Sequence, residues 1–518
     1  MRKLPKGIPT FQEMIEDDYL YVDKTEIVYK LIQNDKLNFL SRPRRFGKSL
    51  LLSTIKELFE GNKELFKGLY IFDKWDWNKT YPVINFELTN PEEGLSLTDG
   101  LNDILDELSD QFKVTITRRT LQKRFSQLIK KISLSYGEKV VILIDEYDSP
   151  IVSNLENPEL VESYQKTLNT FYKAIKESDE YIKFVLVTGI SKFSKVSAFS
   201  ALNHLTDITL SEKYSCICGY TQEELELNFK EYIDDLAISN GLSNEEVLEK
   251  IKQWYDGYSW DGENNLYNPY STLLLFDEKV FSPHWFETGT PKFLIDIIKH
   301  IKDIKPVLEP TNAYKDDLDG FDPLNIEDAT LLFQAGYLTI KEIDKTQGEY
   351  EYTLDLPNYE VEKALMKNLV KIYTQIPIGD LIESKKKFWN QLTSGDCVGL
   401  KETIMDYLIP IGNKQRGQNE NYYHALIFKW LTSSLGFEGY SNTPTYIGEM
   451  DIVLDKTDPI IIIEFKQSKT SSIEYLINEA FDQMNEKQYE KRYNGKNIIK
   501  MALVFKNEEI GCKIEKNY

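Results

Sequence analysis

The chain carries Tyr446-Ile-Gly-Glu-Met-Asp451-Ile-Val-Leu454 and, after a polar turn, Pro459-Ile-Ile-Ile-Ile-Glu464-Phe-Lys466. Both stretches read as short apolar strands, the first with an acid and the second ending in acid, apolar residue and lysine. Side chains alternate along a strand, so Glu464 and Lys466 share a face, and pairing of the strands brings Asp451 beside them. Two carboxylates can hold a divalent cation, Mg²⁺ or Mn²⁺, and the lysine can stabilise charge on an attacked phosphate. The pattern predicts a metal-dependent phosphodiesterase site.

This pattern resembles the core of the PD-(D/E)XK nuclease superfamily, in which an acid is followed, after a gap, by acid-x-lysine at a strand end. The resemblance implies that the backbone carbonyl of Phe465 is a further metal ligand. It also implies that a following helix, over 473–489, lends Gln483 to the site, and that Glu420 is an additional acid before an amphipathic helix over 422–435. A plain surface ion pair is the alternative for the strand-end acid and lysine, and the first acid and the flanking helices argue against it.

A second signature lies near the start of the chain, where the apolar strand 37–40 precedes Ser41-Arg-Pro-Arg-Arg-Phe-Gly-Lys-Ser49 and a predicted helix. This order is the context of a phosphate-binding loop, in which backbone amides and a helix N-terminus attract phosphates. Arg42 stands in the place of the usual first glycine, and we expect Arg42, Arg44 and Arg45 to add positive charge and bulk to the loop. Lys48 is expected to reach the β- and γ-phosphates of ATP, and Ser49 to ligate magnesium. The loop residues expected to bind the nucleotide are Arg45, Phe46, Gly47, Lys48 and Ser49.

The partner of such a loop is an apolar strand that ends in acids, and Lys139-Val-Val-Ile-Leu-Ile-Asp145-Glu146 fits that description. A continuous apolar run indicates a strand buried on both faces, as in a parallel sheet. We expect Asp145 to hold magnesium and Glu146 to polarise the attacking water. Thr188, at the end of a third apolar strand over 183–190, is expected to sense the γ-phosphate.

Strands and helices alternate through the first two hundred residues, which predicts an α/β fold with a parallel sheet. A further strand is predicted over 81–88, with helices over 96–109, 118–134 and 160–176. Beyond the sheet, 221–239 and 244–255 read as helices of a lid.

The chain as a whole resembles a bacterial AAA-ATPase-like family whose members carry a C-terminal PD-(D/E)XK nuclease domain, over about residues 4–507. The motifs that carry this resemblance are Arg42-Pro-Arg-Arg-Phe-Gly-Lys-Ser49, Ile144-Asp-Glu-Tyr-Asp148, Gly189-Ile-Ser-Lys-Phe-Ser-Lys195, Trp254-Tyr-Asp-Gly-Tyr258, Tyr267-Asn-Pro-Tyr-Ser271, Trp285-Phe-Glu-Thr-Gly-Thr-Pro291 and Leu331-Leu-Phe-Gln-Ala-Gly-Tyr-Leu338. The family often shows Gly-Arg-apolar-Asp before the first metal acid. Here the residue before Met450 is Glu449, which either weakens a phosphate contact or adds to the metal site.

The resemblance implies an α/β fold class with three parts. An N-terminal P-loop NTPase of the AAA/ASCE kind, with a parallel sheet and a helical lid, precedes a mostly helical, winged-helix-like region and a C-terminal α/β PD-(D/E)XK nuclease domain. The expected boundaries are 1–215 for the ATPase domain, 216–360 for the lid and winged-helix-like region, 361–415 for a helical connector and 416–518 for the nuclease domain. A winged helix can bind DNA or only pack, and the acidic surroundings here favour packing.

Composition predicts the number of domains and the cellular compartment of this chain. Its 518 residues are too many for one domain, and 41% hydrophobic residues can fill several cores. No stretch is apolar enough for a membrane span, and the first residues lack the apolar core of an export signal, so we expect a cytoplasmic protein without membrane partners. The four cysteines, at 216, 218, 397 and 512, are too few for a disulfide scaffold.

The net charge of −21 argues against a generally basic nucleic-acid-binding surface. The acidic excess lies upstream, however, because residues 416–518 contain 13 Lys and Arg against 15 Asp and Glu. A basic stretch follows the proposed nuclease strands and consists of Lys487, Lys491, Arg492, Lys496 and Lys500. It is either a solvated helix face or a local rim for nucleic acid, which is the expected partner, with DNA favoured over RNA.

Arginine is absent between Arg124 and Arg416. ATPases of this type commonly complete catalysis with an arginine from a neighbour or from their own lid. We therefore expect slow hydrolysis, with Lys192 or Lys195 as substitutes, or an arginine supplied by another copy of the chain or by a protein partner.

Two hypotheses follow for the function. The leading one is an ATP-binding protein whose nucleotide state regulates a Mg²⁺-dependent nuclease, with a role in host defence or mobile-element biology by analogy with other ATPase–nuclease fusions. The alternative is a nucleotide-dependent switch or scaffold that binds nucleic acid or protein without cleavage.

Overall fold

A computed structural model describes residues 1–92, 94–192, 205–287, 305–318, 320, 327–346, 348–374, 380–408, 420–444, 449–493, 495–506 and 509–517. The chain divides into two compact units. The first contains Met1–His300 and Pro310–Glu360, and the second contains Ile301–Glu309 and Val361–Tyr518. The four predicted domain ranges stay predictions.

A five-stranded parallel sheet forms the centre of the first unit. Its strands are β1 (Leu37–Ser41), β2 (Val83–Glu87), β3 (Val140–Asp145), β4 (Ile182–Gly189) and β5 (Thr206–Asp207), in the spatial order β2-β3-β4-β1-β5. Every residue of β3 is buried, as its continuous apolar run predicts for a central strand with both faces covered. The predicted α/β class with a P-loop type of parallel sheet is confirmed.

Helices precede, connect or follow the strands of this sheet. They are α1 (Phe11–Glu16), α2 (Thr25–Asn34), α3 (Lys48–Glu60), α4 (Leu97–Gln111), α5 (Leu121–Tyr136), α6 (Ser149–Val152) and α7 (Pro158–Glu177). In α4, Ser96 and Asp99 form a reciprocal capping box at the N-terminus. The rings of Phe125 and Phe171 stack at 4.5 Å between α5 and α7, inside the cluster of apolar side chains that holds these helices on the sheet.

A helical region follows the sheet. It contains α8 (Gln222–Asn228), α9 (Lys230–Asn240), α10 (Asn244–Tyr255), α11 (Pro269–Glu278) and α12 (His284–Glu287). The single helix predicted over 221–239 is wrong, because the chain leaves helical geometry at Phe229, whose ring stacks on Phe276 at 5.2 Å. This aromatic contact anchors α8 and α9 on α11.

A small antiparallel sheet completes the first unit. After the short helix α13 (Lys305–Leu308) of the second unit come β6 (Thr311–Tyr314), α14 (Lys315–Leu318), α15 (Asp328–Ala335), β7 (Thr339–Asp344) and β8 (Glu351–Asp355), and the sheet has the order β6-β8-β7. Helix α15 is followed by the antiparallel hairpin of β7 and β8.

The second unit holds a mixed five-stranded sheet with helices beside it. Its remaining elements are α16 (Tyr359–Thr374), α17 (Asp380–Ser394), α18 (Cys397–Leu408), α19 (Glu420–Lys429), β9 (Tyr440–Pro444), β10 (Glu449–Leu454), β11 (Ile460–Gln467), α20 (Ile473–Glu486), β12 (Ile498–Lys506) and β13 (Glu509–Asn517). The spatial order is β13-β12-β11-β10-β9, and only β11 and β12 are parallel. Helix α20 makes the connection between these two strands, as a parallel pair requires.

None of the helices in the described ranges combines the length and the apolar character needed to span a membrane.

Candidate functional sites

The loop from Arg42 to Gly47 joins the end of β1 to the start of α3, and Lys48 and Ser49 are the first two residues of that helix. Gly47 has a left-handed backbone, with φ of +96°, which a residue with a side chain would adopt only with strain. Helix α3 begins directly after it, at Lys48. The first amides of a helix lack partners within the helix, so this end attracts anions. The segment has the loop-to-helix geometry that phosphate binding uses.

Ser49, in the first turn of α3, meets Asp145 and Thr188, which lie at the carboxyl ends of β3 and β4. One carboxylate oxygen of Asp145, Oδ2, accepts a hydrogen bond of 2.6 Å from Ser49 Oγ, and the other, Oδ1, accepts one of 2.6 Å from Thr188 Oγ1. Strand β4 lies between β1 and β3, which brings Thr188 beside Asp145. A hydroxyl and a carboxylate are oxygen donors that suit Mg²⁺, so these residues fit the predicted cation.

Glu146 follows Asp145 and lines the cavity beside the loop. Burial raises the pKa of its carboxyl group above the ordinary value, and the positive charge of Lys48 opposes this effect. A carboxylate in this position can contact a water molecule at the phosphate end of the cavity, which is the arrangement that the predicted water-polarising role requires.

Lys48 is folded back onto its own loop. Its ammonium group donates to the backbone carbonyls of Arg42, at 2.9 Å, and Pro43, at 3.1 Å. The side chain is buried, so these two carbonyls take the place of water around the charge. A phosphate in the loop would have to take over these contacts for Lys48 to fill its predicted role.

Of the three loop arginines expected to add positive charge, Arg44 and Arg45 line the cavity beside the loop, whereas Arg42 is buried away from it. Its guanidinium is fully buried and donates to the carbonyls of Thr209, at 3.0 Å, and Ser215, at 3.3 Å. It also lies 4.0 Å from the centre of the Trp260 ring, a cation–π contact. Burial lowers the pKa of Arg42 to about 10. The residue in the place of the first glycine therefore anchors the loop to the segment between β5 and α8 and to Trp260.

A cavity of about 470 Å³ opens beside the loop. The phosphate-loop residues from Arg44 to Leu51 form one side, and Glu146 lies near them. The N-terminal segment, the turn at 217–220 and helix α11 supply apolar and aromatic walls, which include Ile8, Leu20, Tyr220, Tyr270 and Leu273. The guanidinium of Arg45 lies 4.7 Å from the Tyr270 ring centre, whereas the Phe46 ring is buried against Tyr258 and Trp260. Charged, apolar and aromatic side chains all line the cavity.

In the second unit, the register of β10 and β11 brings the predicted metal acids together. Ile452 lies opposite Ile463, so the next pair along the ladder is Asp451 with Glu464. Asp451 Oδ2 accepts a hydrogen bond of 2.7 Å from the Phe465 backbone N–H. Lys466 Nζ donates to the Phe465 carbonyl oxygen, at 2.8 Å, and lies 3.3 Å from Glu464 Oε1. The predicted residues of β10 and β11 thus form one cluster.

Glu464 is fully buried at the centre of this cluster. Its Oε1 accepts hydrogen bonds from Lys466 and from the side-chain amide of Gln483, on α20. Within the described part of the chain, its buried Oε2 has no hydrogen-bond partner. Burial, followed by the charge of Asp451, raises the pKa of Glu464 to about 8. A buried carboxylate oxygen without a donor fits a cation between Glu464 and Asp451.

Further polar side chains hold the cluster on β10 and β11 in place. The Tyr489 hydroxyl donates to the Glu449 carbonyl and accepts a hydrogen bond of 3.2 Å from the Gln483 amide. His424 Nε2 lies 2.8 Å from the Asp451 carbonyl oxygen. The main chain of β10 is thereby tied to α20 and α19, the helices that follow and precede the two strands.

Profiles of known families match two parts of the chain. Residues 5–199 match a family described as a predicted AAA-ATPase, and residues 418–515 match the PD-(D/E)XK nuclease superfamily. An "uncharacterized protein in vnfD 5'region" of Azotobacter chroococcum mcd 1 is 35% identical over 503 residues, which cover 96% of this chain and 94% of that protein. The chain belongs to the AAA-ATPase-like family with a C-terminal PD-(D/E)XK nuclease domain.

The two matches contain both clusters. The AAA-ATPase match contains Ser49, Asp145 and Thr188, and the nuclease match contains Glu464 and Gln483. A nuclease domain implies a nucleic-acid substrate, and domains of these two kinds generally use a nucleotide and a divalent metal. The roles of the individual residues stay predictions.

Sequence reasoning missed Tyr489 and misjudged the helix before it. The predicted helix over 473–489 ends at Glu486, and Gln488 has a left-handed backbone that turns the Tyr489 ring back toward β10. The side chain of Glu420, the additional acid, lies outside the described residues, as does Lys195. Lys192 forms an ion pair with Asp207. In the described ranges, no group of three or more His, Cys, Asp or Glu side chains could hold a metal.

Proposed function

We propose that this AAA-ATPase-like protein binds ATP in its first unit and that its nucleotide state regulates a Mg²⁺-dependent nuclease in its second unit. The observation that carries the proposal is the cluster of Asp451, Lys466 and Gln483 around the buried Glu464, which has one unpartnered oxygen in the described part of the chain. DNA is the favoured substrate over RNA. A role in host defence or mobile-element biology stays a prediction by analogy.

In the nuclease site, Asp451, Glu464 and the Phe465 carbonyl would hold the cation. Bound Mg²⁺ polarises a phosphoryl oxygen and lowers the pKa of a water molecule. Lys466 would exchange its contact with the Phe465 carbonyl for the charge that develops on the phosphate. The Gln483 amide would keep Glu464 oriented, because it bonds the oxygen that faces α20.

In the nucleotide site, Lys48 would exchange the carbonyls of its own loop for phosphate oxygens. Ser49 and Asp145, already in contact, would hold the magnesium that accompanies ATP. Thr188 would keep Asp145 oriented, and Glu146 would polarise the attacking water. The apolar part of the cavity would take the base and ribose, since its volume is within the range of small-molecule sites.

A continuous set of contacts supports regulation by the nucleotide. The Trp285 indole lines the cavity and donates to the carbonyl of Arg44, in the phosphate-binding loop, at 3.2 Å. The Trp285 backbone N–H donates to Glu360 Oε1, at 2.8 Å, which also accepts from Ser271 Oγ. Glu360 is the second residue of α16, and the helix belongs to the second unit from Val361 onward. A change in the loop can therefore bear on the start of α16.

Hydrolysis is expected to be slow unless a second chain takes part. Arginine is absent between Arg124 and Arg416, and Lys192 is paired with Asp207. An arginine from another copy or from a protein partner would supply the missing transition-state charge, which is worth about 10³–10⁵ in rate where it has been measured.

The test is a cleavage assay with purified protein, Mg²⁺ or Mn²⁺, and a panel of single- and double-stranded DNA and RNA, each with and without ATP. The proposal expects metal-dependent cleavage whose rate changes with ATP. Binding of nucleic acid without cleavage of any substrate would favour the alternative, a switch or scaffold.

A further inference from the structure

Two of the four cysteines lie in contact although they are 115 residues apart in the chain. Cys397 is the first residue of α18, and Cys512 lies in β13, the edge strand of the second unit's sheet. Their Sγ atoms are 3.0 Å apart, both thiols are free, and both side chains are partly exposed. The pair stands two strands away from β11, which carries the nuclease acids.

The backbone around both cysteines is well fixed. Strand β13 pairs with β12 along its whole length, from Glu509 to Asn517. On the other side, Gly395 makes the turn from α17 to α18 with a left-handed backbone, and a side chain there would meet Lys516 at 3.6 Å. Asp396 caps α18 by accepting a hydrogen bond of 2.9 Å from the Gly399 N–H. The contact between the two sulfur atoms is therefore fixed by the packing of α18 and β13.

The two thiols are chemically different. The Cys512 thiol donates to Cys397 Sγ, and this bond, together with the Lys401 charge and the Ile514 N–H, lowers the pKa of Cys397. The first turn of a helix adds to this effect, because its partial positive charge stabilises a thiolate. The same sulfur contact and burial raise the pKa of Cys512. Cys397 is the better nucleophile, and Cys512 keeps its proton until it reacts.

We propose that Cys397 and Cys512 form a reversible disulfide by exchange with a low-molecular-weight disulfide such as oxidised glutathione. The Cys397 thiolate attacks one sulfur of that disulfide, forms a mixed disulfide and releases one small thiolate. Cys512 then loses its proton, attacks the Cys397 sulfur and releases the second thiolate. Two protein thiols are oxidised, one small disulfide is reduced to two thiols, and the two protons lost by the protein end on those thiols.

The bond would join α18 to β13 covalently. Cross-linking residues so far apart restricts the unfolded chain strongly, so oxidation should raise the thermal midpoint of the second unit by several degrees. Formation of the disulfide requires neither nucleotide binding nor cleavage of nucleic acid.

The test uses the full chain, reduced and then equilibrated with oxidised and reduced glutathione at a series of ratios, alkylated and mapped by mass spectrometry. The expected product is a peptide pair joined through Cys397 and Cys512, lighter by two hydrogen atoms than the reduced pair, with a higher thermal midpoint. The matched control is Cys216→Ser, which removes a cysteine of the first unit and should still form the Cys397–Cys512 disulfide.

Single substitutions test the order of the steps. Cys512→Ser should retain glutathione on Cys397, because the second attack is missing, and should react faster than Cys397→Ser does at Cys512. Faster adduct formation at Cys512 would overturn the assignment of Cys397 as the attacking thiol. Recovery of both cysteines from the oxidised wild type as separate alkylated peptides, or as separate glutathione adducts, would overturn the proposal.

Discussion

At the scale of single residues, the nuclease cluster depends on how Glu464 is held. Gln483 bonds its Oε1, and Tyr489 in turn bonds Gln483. We predict that Tyr489→Phe lowers the cleavage rate by about 10- to 100-fold, the range for the loss of a partner that orients a metal ligand. Tyr493→Phe, another buried tyrosine of the same turn, is the control and should cleave normally. A metal-titration curve measured in parallel should shift to weaker binding for Tyr489→Phe alone.

Lys48 is the second residue whose role can be isolated. Its substitution by alanine removes the ammonium group that donates to the backbone carbonyls of Arg42 and Pro43. We predict that Lys48→Ala abolishes the rise in thermal midpoint that ATP gives to the wild type, since a ligand stabilises only the state that binds it. Lys67→Ala, an exposed lysine of the same unit, should keep that rise. An unchanged ATP response in Lys48→Ala would place the nucleotide elsewhere.

At the scale of elements, the phosphate-binding loop is anchored by Arg42. Arg42→Lys keeps the charge but loses the planar contacts with two carbonyls and the Trp260 ring. We predict destabilisation of about 1.5–3 kcal/mol, the range for buried hydrogen bonds to a charged group, together with weaker ATP binding. Denaturant unfolding would measure the first effect. Arg118→Lys, at an exposed position, should be neutral, and equal stability of the two variants would show that Arg42 is not an anchor.

The start of α16 offers a test of the coupling between ATP binding and cleavage. Glu360→Gln keeps the shape of the side chain but weakens its hold on the Trp285 N–H and the Ser271 hydroxyl. We predict that this variant binds ATP and cleaves at the rate of the ATP-free wild type, but that ATP no longer changes the rate. The measurement is the ratio of cleavage rates with and without ATP. A ratio equal to that of the wild type would show that Glu360 does not couple ATP binding to the cleavage rate.

At the scale of the whole molecule, sequence patterns predicted what depends on local spacing. Strand alternation and the gap between acids suffice to place Asp451, Glu464 and Lys466 together, and an apolar run ending in Asp145 suffices to place it beside Ser49. The contacts that were missed join distant segments. Trp285 with Glu360, Tyr489 with the Glu449 carbonyl and Cys397 with Cys512 depend on packing between elements, for which one sequence has no periodic signal. Arg42 shows the same limit, because its position in the loop does not reveal the direction of its side chain.

The central claim, that the AAA-ATPase-like protein cuts nucleic acid at the site on β10 and β11, is tested most directly by one comparison. Wild type and Glu464→Gln are incubated with DNA and Mg²⁺, and circular dichroism confirms that both are folded. Glutamine keeps the volume of Glu464 but lacks the carboxylate charge, so we predict that the wild type cleaves and that the variant is at least about 100-fold slower. Equal cleavage by the two proteins would contradict the account.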